Sequence, residues 1–251
     1  MTNHQNTNQL KKRGRETSTF YFKQFKVEDG RSTMKVGTDA VLLGAAVESG
    51  TAANILEIGT GCGVIALILA QRSKARIDAI EIDEESVGQA RENAGNSLWK
   101  DRINIIHSSL QDFIHLTEKK YDVIVSNPPF FSRSLKSSDK KRNISRHNDS
   151  LSYNELISGS LRLMLQEGSL WIILPVKEGM EFIEIAGKYS FFVHFLLKIF
   201  PKTGQKCHRI ILHVKKTEPD KIKERTLAIK HADNSYSREY MEVTKEFYID
   251  F

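Results

Sequence analysis

The stretch NILEIGTGCGVIALILAQR, residues 54–72, decides how the rest of the chain reads. It opens with a β-rich run, NILEIG. Glycines then stand at alternate positions, Gly59, Gly61 and Gly63, and the continuation GVIALILAQR has helical apolar spacing. A strand that passes through a glycine loop into a helix is the start of a strand–helix–strand unit, and its loop lies at the strand's carboxyl end, where open α/β sheets bind ligands. The spacing then discriminates between ligands. A dinucleotide-binding turn needs G-x-G-x-x-G, whose third glycine would fall at Val64, whereas this loop is G-x-G-x-G.

Working outward, RIDAIEID (76–83), INIIH (103–107), YDVIVS (121–126) and SLWIILP (169–175) read as further short strands. EESVGQARENAGNSLW (84–99) is an amphipathic helix with acids in its first turn, and Ser152 with Glu155 forms a capping-box pattern that opens a helix to about Gln166. Strands spaced by helices imply a parallel sheet covered on both faces. FFVHFLLKIFP (191–201) and KCHRIILHVKK (206–216) instead read as neighbouring strands joined by a short glycine-containing turn. The expected fold is therefore α/β: a doubly wound, mostly parallel, seven-stranded sheet with an antiparallel terminal hairpin. The expected organisation is a polar, flexible N-terminal tail (1–19) and a single domain (20–251), made of a lead-in (20–50), a core (51–216) and a C-terminal extension (217–251).

With 251 residues, 40% of them hydrophobic, the chain suits one substantial core better than two. Its longest apolar run, around LWIIL, is far below the ~20 residues needed to cross a bilayer, and its first 19 residues lack the apolar stretch of a secretory signal. Two cysteines, Cys62 and Cys207, with no CxxC or HxxxH spacing, suggest neither a disulfide framework nor a metal site, which fits a reducing cytoplasm. The net charge of +6 is unevenly spread. Residues 1–19 hold four basic and one acidic side chain, 132–148 hold six and one, and 198–216 hold six and none. These stretches carry +14 together, leaving −8 on the rest, a polarity that suits an acidic partner and nucleic acid first.

The glycine loop resembles the S-adenosylmethionine loop of Rossmann-like methyltransferases, and this resemblance implies that cofactor, with Glu57, Gly59, Thr60, Gly61 and Gly63 among its contacts. A carboxylate at the end of the second strand can accept hydrogen bonds from both ribose hydroxyls. Glu81 and Asp83 both stand there. The methyltransferase pattern matches Glu81, which leaves Asp83 as the N-cap of the next helix. The pattern also carries an acid near the cofactor's adenine after the third strand. In HSSLQDF that position is Ser109, and Asp112, three residues on, is the candidate acid.

The strand YDVIVS runs into NPPF, residues 127–130. Proline lacks a backbone donor, so the strand stops at Asn127. NPPF resembles the [NDS]-P-P-[FYW] signature of amino-methyltransferases, which implies catalytic roles for Asn127, Pro128, Pro129 and Phe130 and places Asn127 beside the cofactor as well. The chemistry suits a planar nitrogen whose lone pair is delocalised. The Asn127 amide oxygen and the Pro128 carbonyl can each accept one amino hydrogen, and rigid, preorganised acceptors of this kind stabilise a transition state. Phe130 would stack on the base, a contact of roughly 1–3 kcal/mol.

From Phe20 onward the chain resembles the tRNA1(Val) adenine-37 N6-methyltransferase family, on FKQFKVEDGRSTMKVGTDAVLLGAA, on ISRHNDSLSYNEL (144–156) and on the closing LAIKHADNSYSREYMEVTKEFYIDF. The resemblance implies Lys35, Thr38 and Asp39 near the cofactor's methionine end, a tRNA partner engaged at its anticodon loop, and no obligate protein partner. Arg133, Lys140, Lys141, Arg142, Arg146 and His147 are the candidate RNA contacts. Two alternatives use the same residues: a protein-glutamine N5-methyltransferase acting on a release factor, and a non-catalytic RNA-binding module. The former usually carries a helical N-terminal domain, for which about 50 residues before the glycine loop leave no room. The intact Gly59, Gly61, Gly63, Glu81 and Asn127 argue against the latter.

Overall fold

The structure is a computed structural model that describes residues 18–129 and 151–251. Phe130, the candidate RNA contacts between Arg133 and His147, and the tail as far as residue 17 lie outside the described residues. A small antiparallel pair, β1 (Thr19–Tyr21) and β2 (Lys26–Glu28), precedes α1 (Thr38–Ala46). Alternating elements follow: β3 (Asn54–Ile58), α2 (Val64–Arg72), β4 (Arg76–Glu81), α3 (Glu84–Gly95), β5 (Ile103–His107), α4 (Leu110–Leu116) and β6 (Tyr121–Ser126). The second half comprises α5 (Tyr153–Leu163), β7 (Met164–Pro175), α6 (Val176–Lys188), β8 (Phe192–Lys202), β9 (Arg209–Lys215), β10 (Lys223–Lys230) and α7 (Arg238–Thr244).

The main sheet has the order β10-β8-β9-β7-β6-β3-β4-β5. All its pairings are parallel except those of β9, which is antiparallel to β7 and β8. The expected hairpin is thus present, but it does not end the sheet. An eighth strand, β10 from the C-terminal extension, pairs with β8 and becomes the edge. Its first residues, KERT, are exposed and mostly charged, and burial begins only at Leu227. Helix α4 (7 residues) and the strands β1 and β2 (3 residues each) are too short to give a clear period in sequence, while α6 is a 13-residue amphipathic helix that starts directly at the end of β7.

Side chains of the central strands alternate between two apolar layers. Ile55, Val123, Val125, Trp171 and Ile173 pack on one face, under α1, α2 and α3. Leu56, Ile58, Ile124, Leu170, Ile172 and Leu174 pack on the other, under α4, α5 and α6. Burial on both faces explains why these strands are almost continuously hydrophobic. Capping sets where helices start: Asp83 accepts from the Ser86 N–H at 3.0 Å, and Ser152 with Glu155 forms the reciprocal box at α5. Helix α5 ends at Leu163, earlier than expected, because β7 begins at Met164.

One polar network pins the strand ends opposite the glycine loop. Asp78 in β4 accepts from the Tyr121 hydroxyl (2.8 Å), the Lys119 ammonium (2.8 Å) and the Asn104 amide (3.0 Å). Burial alone would raise its carboxyl, but the hydrogen bonds from Lys119, Asn104 and Tyr121 hold it below its ordinary value. A carboxylate depressed in the folded state stabilises above its unfolded pKa, near about 3.9, and that contribution is lost as pH falls through the folded value. Tyr121→Phe is therefore expected to lower unfolding free energy by about 2 kcal/mol at pH 7 in urea titrations, with the deficit shrinking below about pH 4.

Candidate active site

Three strands stop at one level. Ile58 at the end of β3 is in register with Ile80 of β4 and with Ser126 of β6, and the Ser126 hydroxyl donates to the Ile58 carbonyl at 3.0 Å. The glycine loop leaves β3 there and bends at once toward β4, with the N–H groups of Gly59 and Thr60 both donating to the Ile80 carbonyl, at 2.9 and 3.1 Å. Gly59, Gly61 and Gly63 have φ of 76°, 57° and 85°, in the left-handed region that favours glycine. At Gly63, the N-cap of α2, an added Cβ would lie 3.4 Å from the Ala90 Cβ, so a bare residue lets α2 and α3 approach.

Glu81 anchors this arrangement. Its Oε2 accepts from the Gly61 N–H at 2.9 Å, and its Oε1 accepts from the Ile82 and Asp83 N–H groups at 2.9 and 3.0 Å. One carboxylate thus joins the glycine loop to the turn after β4. Oε2 has a single protein donor, so it retains accepting capacity toward the cavity that Glu81 lines. That cavity measures about 290 Å³ and brings together Gly59, Glu81, Ser109, Asn127, Pro128 and Pro129. The glycine loop and the Asn-Pro-Pro segment, 60-odd residues apart in the chain, therefore share one chamber.

Two further spaces adjoin it. A slot of about 30 Å³ runs between Gly59, Thr60, Gly61 and Cys62 on one side and Met34, Lys35 and Asn127 on the other. An outer groove of about 400 Å³ is bounded by Lys35, Thr38, Asp39, Asn127, His208 and Ile229. Asn127 borders all three. Its amide oxygen Oδ1 is buried and has no hydrogen-bond partner among the described residues. A buried acceptor left unmatched costs roughly 1–3 kcal/mol, and of the atoms in this state the Asn127 oxygen belongs to a residue that borders these cavities.

The structure sorts the remaining candidates. Thr60 Oγ1 donates to Glu57 Oε2 at 2.8 Å, and Glu57 lies fully buried beneath the loop without reaching the cavity wall. Asp112 does not line the cavity either. It is held by the cap of its own helix, its carboxylate accepting from the Ser109 hydroxyl at 2.7 Å while its N–H donates to Ser109 Oγ at 3.0 Å, and Ser109 and Gln111 form the wall. Lys35 reaches the slot, but Thr38 and Asp39 do not, lying on the outer groove, where Asp39 pairs with the Arg209 guanidinium at 2.8 Å.

Sequence reasoning missed the clasp that holds residues 29–37 over the chamber. Buried Asp29 accepts from the Ser18 hydroxyl, from Lys35 Nζ (3.1 Å) and from the Val36 N–H (3.0 Å). The Thr33 N–H donates to Ser86 Oγ (3.1 Å), joining the clasp to α3. Every one of these contacts except Lys35 and Val36 spans many residues, so only the E-D-G turn at 28–30 hinted at Asp29.

Residues 31–191 match the family described as methyltransferase small domain. Among curated relatives, the tRNA1(Val) (adenine(37)-N6)-methyltransferase of Phocaeicola vulgatus is 44% identical over 232 residues, covering 92% of this chain and 97% of its own length. The enzyme of the same name from Trichodesmium erythraeum is 41% identical, with 92% and 98% covered. The chain belongs to the tRNA1(Val) (adenine(37)-N6)-methyltransferase family. Its fold also matches the crystal structure of a predicted O-methyltransferase from Agrobacterium tumefaciens, with a TM-score of 0.63 at 18% identity, covering 83% of this chain and 96% of that one. Among the described residues, no helix is long and apolar enough to cross a membrane.

Within this family member, Glu57 is the group whose titration the structure perturbs most usefully. Burial, partly offset by the Thr60 hydroxyl, pushes its carboxyl up to about 8. For an acid raised in the folded state, the native protein holds a proton that the unfolded chain has released, so stability falls as pH rises from the unfolded to the folded pKa. Urea unfolding between pH 5 and 8 should show a contribution of up to about 1.4 kcal/mol per pH unit that levels off above 8. Glu57→Gln, which mimics the protonated group, should flatten that slope.

Proposed function

We propose that the protein transfers the methyl group of S-adenosylmethionine to the exocyclic N6 amino group of adenine 37 in tRNA1(Val), beside the anticodon. The observation that carries this reading is the buried, unpartnered Asn127 Oδ1 between a cofactor-sized chamber and an open groove, in a chain of this family.

The residues present fit the cofactor. Glu81 offers a carboxylate oxygen with spare accepting capacity, Gly59 leaves open space where any side chain would project, and the slot is walled by Gly59, Thr60, Gly61 and Cys62 together with Met34, Lys35 and Asn127. Glu81 would take the ribose hydroxyls, the glycine loop the methionine end, and the wall of Ile82, Ser109 and Leu110 the adenine. S-adenosylmethionine supplies a methyl group made electrophilic by its sulfonium.

Everything else falls to the chain. Asn127 Oδ1 and the Pro128 carbonyl accept the two hydrogens of the target amino group, drawing the nitrogen toward tetrahedral geometry and turning its lone pair toward the chamber. The prolines fix both acceptors before substrate arrives. No strong base is needed, because the nitrogen becomes acidic once alkylated and its proton leaves to water. Phe130 would stack on the base. The target must leave its own stack, which costs a few kcal/mol and least in a single-stranded loop, and this favours the anticodon loop as the docking point. A tRNA substrate puts the enzyme in the cytoplasm.

The roles separate by measurement. Asn127→Ala should lower turnover by about two to three orders of magnitude while S-adenosylmethionine affinity, by calorimetry, stays within about twofold. Glu81→Ala and Gly61→Val should instead weaken that affinity. Gly61 needs its φ of 57°, and a Cβ there would already meet Ser32 Oγ at 3.4 Å. The substrate is tested with tRNA from cells lacking the gene, labelled cofactor and nucleoside mass spectrometry. N6-methyladenosine at position 37 of one valine tRNA is expected. Label in the methylglutamine of a release factor, or spread evenly over tRNAs, would defeat the assignment.

The basic segment is proposed to contact the tRNA backbone. Neutralising Lys140, Lys141 and Arg142 together should weaken tRNA binding and flatten its logarithmic salt dependence by up to about 0.7–0.9 per lost phosphate contact, without touching cofactor affinity.

A further inference from the structure

The outer groove beyond Asn127 is assembled from three distant parts of the chain: Lys35, Thr38 and Asp39 around the start of α1, His208 just before β9, and Ile229 in β10. Its two cations on the wall or behind it are already matched. Lys35 Nζ pairs with Asp29, and Arg209 Nε donates to Asp39 Oδ2 at 2.8 Å. A groove with its charges compensated suits a nucleobase better than a phosphate.

His208 is the polar group on this wall whose state the structure determines. Its Nε2 lies 2.8 Å from Arg209 Nη1. A guanidinium has no lone pair to accept with, so in this contact Arg209 donates and Nε2 accepts, and Nδ1 is the ring nitrogen left to donate. Asp39 orients Arg209, and Arg209 fixes the tautomer of His208. His208, so oriented, lines the same groove as Asn127, whose amide oxygen has no partner among the described residues.

We propose that His208 is a specificity-determining residue whose Nδ1–H donates to a ring nitrogen of the target adenine, with Arg209 and Asp39 as positioning residues. The proposal rests on the methyl-transfer reading above. Adenine carries a ring acceptor on each side of its amino group, N1 and N7, so a donor and an amide oxygen on one wall read an acceptor and its neighbouring amino group together. A donor opposite N1 also rejects guanine, which has an N–H there. Recognition of this kind discriminates strongly, because a mismatched base leaves polar groups unpaired.

The test uses the full chain and tRNA transcripts with adenosine, 1-deazaadenosine or 7-deazaadenosine at the methylated position. On adenosine, His208→Ala is expected to lower kcat/KM by about tenfold, while S-adenosylmethionine affinity by calorimetry remains unchanged and reports an intact fold. His208→Asn, whose amide nitrogen overlies Nδ1, should recover part of the loss. One of the deaza substrates should cost the wild type a similar factor and cost His208→Ala nothing further, the non-additivity that marks a direct partner. Losses that add for both deaza substrates, or a His208→Ala rate equal to wild type, would overturn the proposal. Failure of the wild type to methylate the adenosine transcript would overturn instead the reading on which it rests.

Discussion

A single carboxylate receiving three backbone N–H groups holds the centre of this protein together. Glu81 ends β4, and its oxygens gather the amides of Gly61, Ile82 and Asp83, so the glycine loop and the β4–α3 turn cannot move independently. Hydrogen bonds to an ionised acceptor are roughly twice as strong as neutral ones. The chamber exists because these two turns are held at the ends of adjacent strands, with Ser126 securing the third strand to them and delivering Asn127 to the rim. Sheet register, loop conformation and the position of the Asn127 amide are therefore one constraint seen at three scales.

Asn127 stands where two kinds of surface meet. Toward the loop it faces backbone and small side chains, and toward the outer groove it faces a wall whose cations are matched by carboxylates. An amide is suited to such a boundary. It polarises a nitrogen without carrying charge, so neither the cofactor's cation nor the base is pulled out of place, and its rigidity comes from the prolines that follow. The division also explains why so few titratable groups line the chamber: alkylation of an amino group needs alignment more than proton transfer.

Local signals made the catalytic core legible. The G-x-G-x-G spacing, the apolar strand runs, the acid at the end of the second strand and the Asp83 and Ser152 caps all depend on residues close in sequence, and the structure has each where it was read. What was illegible depended on distance. Asp29 accepts from Ser18, 11 residues before it, and Asp39 finds its partner at Arg209, 170 residues away. Asp112 shows the converse. An acid near the right place in sequence was captured by its own helix's cap and left the wall to Ser109 and Gln111. Pattern identifies residue types that suit a chemistry, whereas the competition between local and remote hydrogen-bond partners decides which of them reach it.

The lead-in that closes over the chamber is itself anchored by the far end of the chain. The Lys23 backbone N–H donates to the Phe247 carbonyl at 2.8 Å, its ammonium donates to the carbonyls of Lys245 and Phe251, and Phe20 and Phe22 pack against Tyr248. Contacts spanning more than 220 residues are the slowest to form, since the whole intervening loop must be closed first. During synthesis the sheet and glycine loop can consolidate behind the ribosome while residues 18–37 still lack their support. The cover over the chamber thus leans on residues 245–251, so loosening that distant segment would bare the cofactor shelf without touching a single residue that lines it.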